Sequence, residues 1–275
     1  MAKTFVTSAF VASAFRRKSP VRLALTLTAL LAACGGSAPT SPSETVRLTE
    51  RIVTPHFVFH YSANDSVDTE WQEAYHVWAV SQLGVTPAVI EYNKYRDRAQ
   101  MGQITGHGST NGYAEPAAAT IHTIWKIDNH EVVHVYAGPW GSPAALFGEG
   151  LAVAFQTNPQ AGDFVAKWSG TPVHDLARRF RAQGQLLSIP SIAETAAFRA
   201  RDEGVTYPEA GSFVRFLIDS EGIAPMRRLL ARRGRAALAG VPRHLTHFAP
   251  RASLPRLAPR TSPPRSSHPR TNYTP

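Results

Sequence analysis

The pentapeptide His130-Glu131-Val132-Val133-His134 constrains this 275-residue chain more than any other stretch, because its two histidines can act together only on a helix. Residues four apart on an α-helix lie one turn apart on the same face, so both imidazoles can reach a common point. Glu131, one position on, projects to the side of that face. The flanks agree: Asp128 is a capping residue with Glu131 three positions later, and Gly138-Pro139 supplies a stop.

Imidazoles so placed suit a divalent cation, at Zn–N distances of roughly 2.0–2.1 Å. Catalytic zinc ordinarily takes three protein ligands and leaves a fourth position to water, so this reading requires one more donor. Glu149, fifteen positions after His134, is the best candidate. Glu131 then stands beside the ion, where it can hold a water molecule as general base. The segment Glu149–Gln156 is small and apolar, suited to packing a second helix closely on the first.

HEVVH, the stretch FGEGLAVAF that begins at Phe147, and Tyr207–Gly222 together resemble the peptidase MA-like group of gluzincin metallopeptidases, from about Pro55 to about Leu230. The resemblance implies His130, His134 and Glu149 as zinc ligands and Glu131 as catalytic base. It implies an α+β, zincin-like fold, with a small mixed β-sheet packed on the motif helix and a helical C-terminal half. It further implies Zn2+-dependent cleavage of a peptide or protein substrate. One position departs from the pattern. Many gluzincins carry an acidic residue four positions after the third ligand, where it orients a ligand histidine, and here that position is Val153. The orienting partner must come from elsewhere, a backbone carbonyl or Asp128 being the options.

Tyr207 falls where a phenol could approach the site and stabilise an oxyanion, the alternative being a packed core tyrosine. Two further readings keep the motif and drop the chemistry. One is an anchored binding protein; the other is a structural zinc site closed by a fourth side chain, with His122 or His107 as donor.

Periodicity places strands at His56–Tyr61, Pro87–Tyr92 and Ala118–Ile124, the last running directly into the motif helix. Asp68–Leu83 reads as a helix closed by Gly84, with Trp71, Tyr75 and Trp78 on one buried stripe. Thr105–Gly112 reads as a loop. Glu149–Thr157, Val173–Gln183, Ser191–Phe198 and Tyr207–Ser220 read as helices, Tyr207 opening the last. An edge strand able to pair with an extended peptide is expected at Gly112–Glu115 or Ala119–Thr123.

The ends of the chain belong outside this domain. Residues 1–33 carry Arg16, Arg17, Lys18 and Arg22, then an apolar run from Leu23 to Ala33 and no acidic residue, as in a secretory signal. Leu31-Ala32-Ala33-Cys34 resembles the bacterial lipoprotein processing box, which implies lipidation of Cys34, the lone cysteine, and a domain exported and anchored to the cell envelope. The apolar run is too short for a comfortable transmembrane helix. Residues 34–46 read as a flexible linker and 47–231 as the metallopeptidase domain. Residues 232–275 hold nine arginines, many prolines and no acidic residue. They read as a disordered appendage or as the product of a shifted reading frame.

This partition corrects the headline charge. Of 29 Lys and Arg, five lie in the signal and nine in the tail, leaving 15 against 20 acidic residues in 34–231. The domain itself is therefore acidic, and nucleic-acid binding is not expected despite a pI near 10.0.

Overall fold

The computed structural model describes residues 47–157 and 165–231, with positions 239 and 241. The expected signal, the linker with Cys34, and the tail except for those two positions lie outside the described residues. Val241, ten residues into that tail, is buried and joins the main core. The fold is α+β, as expected.

Five strands form one sheet in the order β1-β2-β3-β5-β4: Glu50–Val53, Phe57–Tyr61, Ile90–Lys94, Thr120–Thr123 and Gly112–Glu115 respectively. The central strands β2, β3 and β5 run parallel, and β1 and β4 are antiparallel additions at the two edges. Register writes the two faces. Phe59, Tyr92, Ile121 and Ala114 align across the strands, as do their neighbours His60, Asn93, His122 and Tyr113 on the opposite face. The first row turns to the core, where Phe57, Phe59, Ile90, Tyr92 and Ile121 are wholly buried.

That core face is covered by α1 (Thr69–Leu83) and α3 (Asn129–Ala137), which contribute Tyr75, Ala79, Leu83, Val132, Val133 and Tyr136 to the same cluster. Asp68 caps α1 by accepting from Trp71 N at 3.0 Å, and Gly84 ends it in the left-handed region at φ 59°. Arg227 of α8 (Ile223–Leu230) donates to the Leu83 and Gly84 carbonyls, placing a cation at the negative end of α1.

The strand expected at Pro87–Tyr92 begins later, at Ile90. The segment before the Thr105–Gly112 loop holds a helix, α2 (Arg98–Thr105), for which no apolar periodicity prepares; Asp97 caps it through Gln100 N at 2.8 Å.

The second half is helical: α4 (Ala145–Phe155), α5 (Val173–Ala182), α6 (Thr195–Arg199), α7 (Glu203–Glu221) and α8, with a short hairpin of β6 (Lys167–Trp168) and β7 (Thr171–Pro172). Three of these starts differ from expectation, α6 beginning at Thr195 rather than Ser191 because Ile189–Ile192 forms a separate 3-10 turn. Helix α4 begins four residues before Glu149, and α7 begins at Glu203, capped by Asp202 on Gly204 N at 2.7 Å. Tyr207 therefore sits in the second turn of α7 rather than opening it.

Helices α4 and α7 cross at glycines. A Cβ on Gly150 would stand 2.7 Å from Val214 Cγ2 and 2.9 Å from the Ala210 carbonyl oxygen, and one on Gly211 would strike Val153. Only two backbones stripped of side chains can approach so closely, and that approach sets Glu149 beside Tyr207. No described helix is long and apolar enough to cross a membrane.

Candidate metal centre

Helix α3 delivers the two histidines. Its cap is built before it starts: Asp128 Oδ1 accepts from Glu131 N at 3.1 Å, while Oδ2 accepts from Thr123 Oγ1 at 2.6 Å, tying the helix to the end of β5. Asn129 extends the anchorage, accepting from Gln72 of α1 at 3.2 Å and donating to Thr157 Oγ1 at 2.9 Å. The chain just beyond α4 is thus pinned near the first turn of α3.

Helix α4 delivers the third donor from the other side. His130 Nε2 lies 3.1 Å from Glu149 Oε2 and 3.3 Å from His134 Nε2, and His134 Nε2 lies 3.3 Å from the same Glu149 oxygen. Four ligands at roughly 2.0–2.1 Å in a tetrahedron stand about 3.3–3.4 Å from one another. The three donor atoms form a triangle of that size. The donor chemistry fits zinc as well: two imidazoles and one carboxylate, all partly or largely buried.

The partner that orients His130 is neither Asp128 nor a backbone carbonyl. Gln156 Oε1 stands 3.2 Å from His130 Nδ1. An amide oxygen only accepts, so Nδ1 carries a proton and Nε2 is the nitrogen left to face the triangle, where it donates to Glu149 and would offer its lone pair to a metal ion on losing that proton. Val153, where an acidic residue would serve many gluzincins, is fully buried and packs with Ala166 and Val173 beneath Trp168 and Tyr207.

Arg199, the last residue of α6, also escaped the sequence reading. Its Nη2 donates to Glu149 Oε1 at 2.8 Å, and its Nη1 lies 3.5 Å from Tyr207 Oη. Tyr207 is packed and near the site at once. Its ring lies 5.3 Å from Trp168, 5.4 Å from Phe198 and 6.1 Å from His130, centroid to centroid.

Electrostatically the site seeks positive charge. Burial opposes a proton on His130, but the hydrogen bond to Glu149 and the Glu131 charge overcome it and raise that imidazole. Burial likewise acts to raise Glu149, yet hydrogen bonds from both histidines hold it far below the ordinary carboxylate range. Glu131 is raised, first by burial and then by Asp128. Burial and Glu149 push Tyr207 up to about 12, so its hydroxyl stays protonated. Three carboxyl groups around two imidazoles are satisfied by a proton or by a metal ion.

These groups line one cleft of about 1020 Å³. Strand β4 forms one wall, with Gly112, Tyr113 and Ala114, and its placement identifies Gly112–Glu115 as the sheet edge, β5 being internal. Gly112 is required there, since a Cβ would stand 2.9 Å from Asp128 Oδ2 and 3.2 Å from Glu131 Cγ. Trp125 lines the same cleft with half its surface exposed.

His107 and His122 are elsewhere. The His122 ring stacks on Tyr113 at 4.5 Å and the His107 ring lies tilted against the same tyrosine at 4.6 Å, while His122 Nδ1 shares a 2.7 Å hydrogen bond with Tyr95 Oη. Among the described residues, His130, His134 and Glu149 form the one group of three or more such donors close enough to share an ion, so neither outlying histidine closes the site. His56 and His60 pair with Glu73 at 2.6 Å and Glu91 at 2.7 Å, consistent with structural roles.

No protein-family model, curated protein or solved structure matches this chain. The functional reading therefore stands on the geometry above and on the sequence motif.

Proposed function

We propose that this protein is a zinc metallopeptidase of gluzincin type with a zincin-like fold, which cleaves peptide bonds in a peptide or protein substrate. The observation that carries the reading is the triangle of His130 Nε2, His134 Nε2 and Glu149 Oε2, whose sides of 3.1, 3.3 and 3.3 Å suit a tetrahedral ion. His130, His134 and Glu149 would hold Zn2+. When bound, the ion supplies Lewis acidity, lowering the pKa of water and polarising a carbonyl.

The chain's own groups do the rest. Glu131 takes the proton of the attacking water and passes it to the amine that leaves as the C–N bond breaks. Tyr207, protonated and beside Glu149, donates a hydrogen bond to the oxyanion that develops on the carbonyl oxygen. Strand β4 is the edge of the sheet beside the cleft, so an extended peptide would pair with its main chain and keep its side chains free to vary, displacing at Gly112 the Thr110 hydroxyl that donates to the Gly112 carbonyl at 2.7 Å. Trp125 adds an apolar wall.

Signal, Cys34 and linker extend the proposal to location: an exported domain tethered by lipid to the bacterial cell envelope. Nucleic acid has no place in it. The experiment that tests the activity compares purified wild type with Glu131→Gln on casein and on peptides. Retention of metal with loss of cleavage in the variant supports the enzyme. Equal cleavage by both proteins contradicts it, and equal inactivity of both with one bound zinc favours the anchored binding protein.

A further inference from the structure

Glu149 gives its two oxygens to different partners. Oε2 faces both imidazoles at 3.1 and 3.3 Å, whereas Oε1 accepts from Arg199 Nη2 at 2.8 Å. The other terminal nitrogen of Arg199 lies 3.5 Å from Tyr207 Oη. One planar guanidinium therefore spans the third metal donor and the phenol.

We propose that Arg199 is a positioning residue, which holds Glu149 so that a single oxygen faces the histidines and fixes the Tyr207 hydroxyl beside it. The inference rests on the metallopeptidase reading. Its physical basis is that a carboxylate has two equivalent oxygens. With neither restrained, both can turn to a cation, adding a donor and leaving less room for water and a substrate carbonyl. A cationic donor on Oε1 removes that freedom, and its fork geometry lets it serve a second acceptor at a set spacing.

The surroundings hold Arg199 in place for this task. Helix α6 is anchored at its start, where Thr195 Oγ1 accepts from Ala145 N of α4 at 3.0 Å. At its end Phe198 is fully buried and packs its ring on Tyr207. The side chain of Glu149 is only 12% exposed, so a partner for Oε1 must come from the protein, and Arg199 supplies it from a half-exposed position on the cleft wall.

The test uses Co2+ as a spectroscopic probe in wild type, Arg199→Met and Arg199→Lys. The wild type is expected to show the intense visible absorption of four-coordinate cobalt. Arg199→Met should lose intensity as Glu149 engages through both oxygens, with kcat down about 10–100-fold and KM within about twofold. Arg199→Lys, able to serve Oε1 but not both acceptors, should restore the spectrum and only part of kcat. A cobalt spectrum for Arg199→Met identical to wild type overturns the proposal, whatever the rate does; a rise in KM alone also overturns it, by making Arg199 a substrate contact. Failure of the wild type to take up cobalt at all is a different result: it removes the metallopeptidase reading itself, and this inference with it.

Discussion

Gln156 Oε1 accepts the Nδ1 proton of His130 across 3.2 Å and so decides which nitrogen of that ring faces Glu149. The partnership joins the residue just past α4 to the first turn of α3. Replacing Gln156 with Leu removes the acceptor and frees the ring to flip or change tautomer. Metal affinity should fall about 10–100-fold, measured by chelator competition, while Gln156→Glu should bind at least as tightly as wild type.

The crossing of α4 and α7 should resist even one added carbon. In Gly150→Ala the new Cβ meets the Ala210 carbonyl oxygen, which is backbone and cannot step aside. Overpacking of this kind costs about 1–3 kcal/mol, more than the helix propensity of alanine returns. A lowered melting temperature checks this. Activity should fall with it, because the same displacement carries Glu149 away from the histidines.

Glu209 gives the fold a pH dependence separate from the metal centre. Its side chain is wholly buried in α7; Oε2 accepts from Leu187 N at 3.1 Å, and Oε1 has no hydrogen-bond partner among the described residues. Burial raises its pKa to about 7 against 4.5, with the Leu187 N–H bond pulling modestly the other way. Between those two values the folded state holds a proton that the unfolded state has lost, so stability falls as pH rises through this window. The cost is complete above about pH 7 and absent below about 4.5, and amounts to about 3–4 kcal/mol. Glu209→Gln, which mimics the neutral acid, should melt higher than wild type at pH 8 and alongside it at pH 4.5.

Trp125 is a half-exposed indole on a fixed backbone: its N–H donates to Thr123 Oγ1 and its carbonyl accepts from Tyr92 Oη, both at 3.0 Å. A side chain presented this way contacts substrate without touching the reacting atoms. Trp125→Ala should raise KM severalfold for peptides with bulky apolar residues and leave kcat nearly unchanged, as steady-state kinetics would record.

Much of this arrangement was legible in the sequence because it is local. The Asp128 cap, the Gly84 stop and the run of β5 into α3 all depend on residues a few positions apart. Helix α2 carried the same kind of signal, Asp97 before it and Gly106 at φ 82° after it, and was obscured by its short length and polar sequence. The start of α7 was hidden by the Tyr207-Pro208 pair, which suggested a first turn although Pro208 lies inside the helix. Gln156 and Arg199 could not be read at all: they meet their partners across 26 and 50 positions, and only the glycine crossing of α4 on α7 and the docking of α6 bring them there. The edge position of β4 was likewise a property of strand order, which alternation within a strand does not encode.

The most direct test of the central claim is the metal content of the purified protein by elemental analysis, wild type beside His134→Ala. The account predicts about one zinc per chain in the wild type and a ratio near zero in the variant, with both proteins folded. A wild type free of stoichiometric transition metal, or a variant that retains its full complement, would contradict it.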